Sequence, residues 1–144
     1  MPVVNFHLIS QKTTPSQDER LLKEAAKLYS EVLKSPMERV RAFITTHAAE
    51  QFVVAGELVS NNGLHAPYFD FIVLEGRPLE ERHRLMAGFT DLLVDILGVK
   101  RDLVRGSCRR VEPEDWSIGG VSASELRANE IKAREDAAAL KERN

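Results

Sequence analysis

Two stretches of this chain carry the same features in the same order. Leu28-Tyr29-Ser30-Glu31-Val32-Leu33 aligns with Leu92-Leu93-Val94-Asp95-Ile96-Leu97 at an offset of 64. At that offset Val40-Arg41 falls on Val104-Arg105, Glu50-Gln51-Phe52 on Glu114-Asp115-Trp116, and Ala55-Gly56 on Gly119-Gly120. Upstream, Pro2 heads the first apolar run and Pro67 the second at an offset of 65, so the first loop is one residue longer. A duplication constrains the fold strongly, because each copy must be one supersecondary unit whose apolar face the other helps to cover.

Each copy reads strand, helix, strand. Phe6-His7-Leu8-Ile9 and Phe69-Asp70-Phe71-Ile72-Val73-Leu74 are short apolar runs of strand type. The first helix is expected to open on a capping box of Ser16 with Glu19 and to end before Pro36. Its apolar stripe is Leu21, Leu22, Ala25, Leu28, Tyr29, Val32 and Leu33. The second helix opens near Pro78 and carries Leu85, Met86, Phe89, Leu92, Leu93, Ile96 and Leu97, with Gly98 just past its end. Return strands are expected over 39–46 and 103–111. A crossover helix makes the two strands of each unit parallel and right-handed.

The expected class is α/β (α+β): tandem β-α-β repeats forming one four-stranded mixed sheet with two helices on one face. The opposite sheet face then needs a partner, and Ser107 and Cys108 in the last strand suit close packing there. Residues 1–120 read as a single domain of two units, 2–52 and 67–120, joined by a connector over 53–66 that contains Asn61-Asn62-Gly63. Residues 121–144 read as a charged, Ala-rich helical tail, fraying at its end or wrapping a neighbouring subunit.

Composition removes several function classes. A formal net charge of −2 argues against a general nucleic-acid binder. No apolar run approaches the roughly 20 residues of a membrane helix, and no secretory leader opens the chain. Cys108 is the only cysteine, so an internal disulfide is excluded and a reducing cytoplasm is expected. His7, His47, His65 and His83 are scattered, so no metal site is expected.

The chain starts Met1-Pro2. Removal of Met1 turns the Pro2 nitrogen from a non-basic amide into a secondary amine at the head of a strand, able to take or give a proton. A free α-amino group titrates near about 8, and burial and neighbouring cations both disfavour its charged form.

The run Pro67-Tyr68-Phe69-Asp70-Phe71-Ile72-Val73-Leu74-Glu75-Gly76-Arg77 resembles the opening of 4-oxalocrotonate tautomerase. Val104-Arg105 and Trp116-Ser117-Ile118-Gly119-Gly120 resemble that family's second arginine and its aromatic-Gly-Ile-Gly-Gly segment. The first half resembles the same unit through Pro2, Arg41 and Phe52. Over about residues 2–120 the chain therefore resembles a fused member of the tautomerase superfamily, which implies the fold shared with macrophage migration inhibitory factor.

The resemblance implies roles. Pro2 is the proton carrier, Arg77 the arginine that holds a substrate carboxylate, and Arg41 and Arg105 both match the arginine that polarises the reacting oxygen. Which of these two serves Pro2 stays open. Trp116 and Phe52 match the aromatic wall. Lys12 stands in the first unit where the second has Arg77, and lysine cannot clamp a carboxylate with two parallel bonds. Pro67 lies inside the chain, so its nitrogen is an amide, and only the Pro2 site is expected to be live.

The implied activity is isomerisation of small 2-oxo or enol carboxylic acids without a metal or organic cofactor, by a homotrimer. Two alternatives stay open. One is haloacrylate dehalogenation, hydration or semialdehyde decarboxylation at the same proline, with Glu112, Glu114 or Asp115 supplying an acid near Trp116. The other is a non-catalytic trimeric small-acid binding protein, which follows if Met1 is retained.

Overall fold

The computed structural model describes residues 2–143; Met1, on whose removal the proline amine depends, lies outside them. The first unit comprises β1 (Val3–Ile9), α1 (Pro15–Leu33), β2 (Arg41–His47), a small hairpin of β3 (Val53–Val54) and β4 (Glu57–Leu58), and a one-turn α2 (Val59–Asn62). The second repeats it as β5 (Tyr68–Leu74), α3 (Leu79–Leu97), β6 (Arg105–Val111), β7 (Ser117–Ile118), β8 (Val121–Ser122) and α4 (Ala123–Leu126). A last helix, α5 (Ala128–Arg143), has no counterpart in the first unit. Among the described residues no helix is long and apolar enough to cross a membrane.

Four strands form one mixed sheet in the order β2-β1-β5-β6. Each unit's own strands pair in parallel, as the crossover requires, and the two units meet through antiparallel β1 and β5. Asn5 sits opposite Asp70, its equivalent in the other unit, so the pseudo-twofold axis passes between them. The antiparallel junction sets the start of β1 beside the end of β5, with Val3 opposite Ile72. That brings Pro2 close to residues just past the second unit's strand.

Alternation in β1 turns Val4, Phe6 and Leu8 inward, and in β5 it turns Phe69, Phe71 and Val73 the same way, against Leu21, Ala25 and Tyr29 of α1 and Leu85, Phe89 and Leu93 of α3. Both long helices therefore cover one face. Phe89 is the hub, with ring contacts to Phe6, Tyr29, Phe69 and Phe71 at centroid separations of 5.2 to 5.8 Å. Cys108 packs against this core, not on the open face as expected, because strand alternation sends it opposite to Ser107. The open face carries a polar centre: His7 Nδ1 lies 2.8 Å from His47 Nε2, and His7 Nε2 lies 3.4 Å from Asp70.

The cap of α1 also differs from expectation. Thr14, not Ser16, accepts from the Gln17 amide at 3.1 Å, and the Gln17 side chain accepts from the Thr14 amide at 2.9 Å. Pro15 decides this, since its fixed φ suits the first helical position and makes Thr14 the cap. The expected connector over 53–66 holds β3, β4 and α2, and β7, β8 and α4 repeat that arrangement. Strands of two residues are too short to leave a pattern in the sequence.

The duplication extends to backbone conformation. Gln11, Lys34 and Ala55 are left-handed, with φ of 69°, 53° and 56°. The second unit has Gly76, Gly98 and Gly119 at the matching positions, with φ of 105°, 68° and 58°. Glycine accepts this region freely, whereas a side chain costs about 1–2 kcal/mol there, partly offset by the roughly 0.5–1 kcal/mol of extra chain entropy that glycine loses on folding. Ala55→Gly is expected to stabilise the fold by about 0.5–1 kcal/mol. A rise in the urea midpoint at unchanged slope is the check.

Candidate active site

The expected site residues sort to opposite ends of the sheet. At one end lie Pro2, Arg77, Arg41 and Trp116. At the other lie Pro67, Lys12, Arg105 and Phe52. The sorting follows from strand register. The Arg41 amide donates to the Pro2 carbonyl at 2.8 Å, and the Arg105 amide donates to the Pro67 carbonyl at 3.1 Å. Within one chain Arg105 therefore belongs to the Pro67 end.

Pro2 is buried and lines a narrow hollow with Arg39, Arg77, Glu130 and Arg134. Arg77 reaches it from the turn after β5, with only 15% of its side chain exposed. Its Nη1 donates to the Leu33 carbonyl at 3.0 Å, where α1 ends with unpaired carbonyls, and faces Glu81 at 3.4 Å. The remaining guanidinium donors of Arg77 meet no acceptor among the described residues. A planar cation fixed along one edge, with its other edge available, suits a carboxylate.

Below this point in β1 and β5, Tyr29 donates to the Ile72 carbonyl and stands 3.4 Å from the Val3 carbonyl. The hydroxyl thus ties together the strand ends that carry Pro2 and one wall of the hollow. Burial pushes the Tyr29 hydroxyl far above its ordinary value, so it stays protonated and a donor. Tyr29→Phe is expected to cost about 1–3 kcal/mol of stability by stranding buried carbonyls. Chemical denaturation measures this.

Arg39, Glu130 and Arg134 line the Pro2 hollow without having been singled out in the sequence. Arg39 lies in a short turn before β2 and holds Glu130 of α5 with two bonds of 3.1 Å. That contact keeps the Glu130 carboxyl below the usual carboxylate range. Arg134 stands one turn further along α5. Burial first, and then the charge of Arg77, pull it below the usual arginine range, while Glu130 and Glu81 oppose that shift. The spacing of four between Glu130 and Arg134 puts both on one helix face, which is the sequence signal that was there to find.

A second, wider hollow adjoins the first through Arg39, and Val3, Arg41, Trp116 and Arg127 line it. Trp116, directly before β7, and Arg41, at the start of β2, meet on this hollow. The Arg41 Nη1 donates to the Glu38 and Val40 carbonyls at 2.8 and 3.3 Å. Glu112, Glu114 and Asp115 line neither hollow. Among the described residues no group of His, Cys, Asp and Glu side chains could hold a metal ion.

At the Pro67 end, the exposed Lys12 donates to the Gly63 carbonyl at 3.4 Å, and the Phe52 ring lies 5.6 Å from that of His47. His65 Nε2 accepts from the Ile9 amide at 3.3 Å, which requires a neutral ring. Burial, and after it the Lys12 charge, hold His65 below its ordinary 6.5. The unfolded chain therefore binds this proton first as pH falls. Stability contributed by His65 is present above about 6.5 and shrinks as pH drops toward the lower folded value. His65→Gln is expected to flatten the acid side of a stability–pH curve measured from pH 7 downward.

A family model described as tautomerase enzyme matches the chain twice, over residues 2–62 and 67–126. A stretch of 60 residues is 37% identical to 2-hydroxymuconate tautomerase of Comamonas testosteroni, covering 42% of this chain and 95% of that protein. A stretch of 56 residues is 39% identical to a probable tautomerase of Dickeya dadantii (strain 3937), covering 39% of this chain and 84% of that protein. Among solved structures, a fused 4-OT in a symmetric trimer superimposes with a TM-score of 0.77 at 25% identity, over 86% of this chain and 98% of its own.

Proposed function

Because the chain belongs to the tautomerase family, as a member with two units fused in one polypeptide, we propose that it isomerises small 2-oxo or enol carboxylic acids through Pro2 once Met1 is removed. The observation that carries this reading is that Pro2 and Arg77, from different halves, line one hollow. The neutral ring nitrogen takes a proton from the enol hydroxyl or from the carbon beside the carbonyl. As a secondary ammonium it returns that proton to the other atom, so no group is lost. Arg77 grips the carboxylate, Arg41 stabilises charge on the reacting oxygen, and Trp116 excludes water on that side, which strengthens both electrostatic contacts.

Burial of Pro2 and the guanidiniums around it disfavour the ammonium form, which favours a neutral base near neutral pH. At the other end, an amide nitrogen at Pro67 and a lysine at position 12 supply neither base nor fork, so one live site per chain is the expectation. Assembly as a homotrimer is part of the proposal. It is supported by the uncovered sheet face, where Phe43 is 45% exposed, and by the trimeric fused relative. Sedimentation velocity tests it.

The deciding assay follows ketonisation of phenylenolpyruvate and of 2-hydroxymuconate by loss of enol absorbance. Acceleration of either far above buffer is expected, and no acceleration of both would sink the reading. One observation favours hydration or dehalogenation instead: the Glu130 carboxylate lines the Pro2 hollow, where it could orient water. Halide release from a 3-haloacrylate, lost in Glu130→Gln, is the result that selects that chemistry.

A further inference from the structure

We propose that α5 is part of the substrate site, with Arg134 receiving a second anionic group of the substrate while the Arg39–Glu130 pair holds the helix over Pro2. This deepens the reading above by adding a specificity-determining residue from outside the duplicated units. Three guanidiniums, of Arg39, Arg77 and Arg134, converge on one hollow with Glu130, and Glu81 stands beside Arg77. Glu130 is committed to Arg39 by two bonds, and Glu81 faces Arg77. The Arg134 guanidinium is partly buried, yet it has no hydrogen bond and no carboxylate within 4.0 Å among the described residues. A desolvated cation beside another cation is unfavourable unless an anion joins them.

None of the residues of α5 is fully buried, and Ile131, half-buried beside Pro113, is its main apolar contact at the start of the helix. Its attachments near the hollow are ionic, through Arg39 to Glu130, with Arg127 at 3.9 Å from the same carboxylate. Arg77 and Arg134 on one wall match a ligand with two negative ends, and a single carboxylate would leave one of them unanswered.

The test measures binding, so it reads out whether or not the protein turns over enols. Glutarate and butyrate, a dianion and a monoanion of similar size, are titrated calorimetrically into the processed protein and into Arg134→Ala and Arg134→Lys. The wild type is expected to bind glutarate more tightly. Arg134→Ala is expected to lose about 10- to 100-fold of glutarate affinity, bringing it near that of butyrate, and Arg134→Lys to lose less. An unchanged melting temperature in both variants, expected because no residue of α5 belongs to the core, excludes unfolding as the cause. Equal glutarate affinity in wild type and Arg134→Ala, or no preference for glutarate in the wild type, would overturn the inference. If glutarate selectivity depends on Arg134 while neither enol is turned over, the tautomerase reading fails and the anion site stands.

Discussion

Pro2→Ala is expected to lower kcat for enol ketonisation by about 10²–10⁴-fold, the usual worth of a positioned general acid or base. The alanine variant still begins with an amine after Met1 removal, so the loss measures what the ring contributes. The ring fixes the direction of the nitrogen lone pair beside the hollow, whereas a primary amine on alanine rotates about its N–Cα bond and is not held in one orientation toward the reacting carbon. KM is expected to change much less than kcat, because the proline acts on the chemical step and not on the carboxylate. Comparable rates in both proteins would remove Pro2 from the mechanism.

Arg77→Ala is expected to lower kcat/KM by about 10²–10³-fold, since it removes a charge-assisted clamp in a partly desolvated site. It also strips the Leu33 carbonyl of its donor, so part of any effect could come from a loosened end of α1. Arg77→Lys separates the two. Lysine can still donate to Leu33 but cannot present a fork, so it should keep the melting temperature while KM rises. Because Arg77 and Pro2 belong to different units, a large effect would mean that the fusion builds one site from both halves. Unchanged kinetics in the alanine variant would mean that carboxylate binding lies elsewhere.

Most of the fold was legible because the chain states it twice. The pairing of Leu28–Leu33 with Leu92–Leu97 fixed the offset, and α1 with α3 and β2 with β6 keep it to the residue. Strands β1 and β5 follow from apolar runs of four and six residues, the two long helices from their apolar stripes, and the return strands β2 and β6 from the repeated strand-helix-strand order. The hairpins β3–β4 and β7–β8 did not, since two-residue strands have no periodicity to read. The Thr14 cap was misjudged because Ser16 and Glu19 also fit the motif, and the decisive residue was Pro15 between them.

At the candidate site, Pro2 and Arg77 stand out through a motif, and their lining one hollow across halves depends on the antiparallel β1–β5 junction. Arg39 and Arg134 were invisible for a different reason. Position 103, the equivalent of Arg39, is a leucine, and α5 has no equivalent at all, so neither residue is marked by the repeat. The tail reads as a solvated charged helix because it has no apolar stripe. Its placement depends on specific ion pairs, which a pattern of charges does not reveal.

The ¹⁵N resonance of Pro2, followed by NMR across pH in protein labelled at proline, addresses the basic nitrogen itself. A secondary-amine shift that titrates below about 8 is the predicted result, because burial and converging guanidiniums destabilise the ammonium. A shift in the amide range that ignores pH, or an amine that titrates well above that value, would contradict the account.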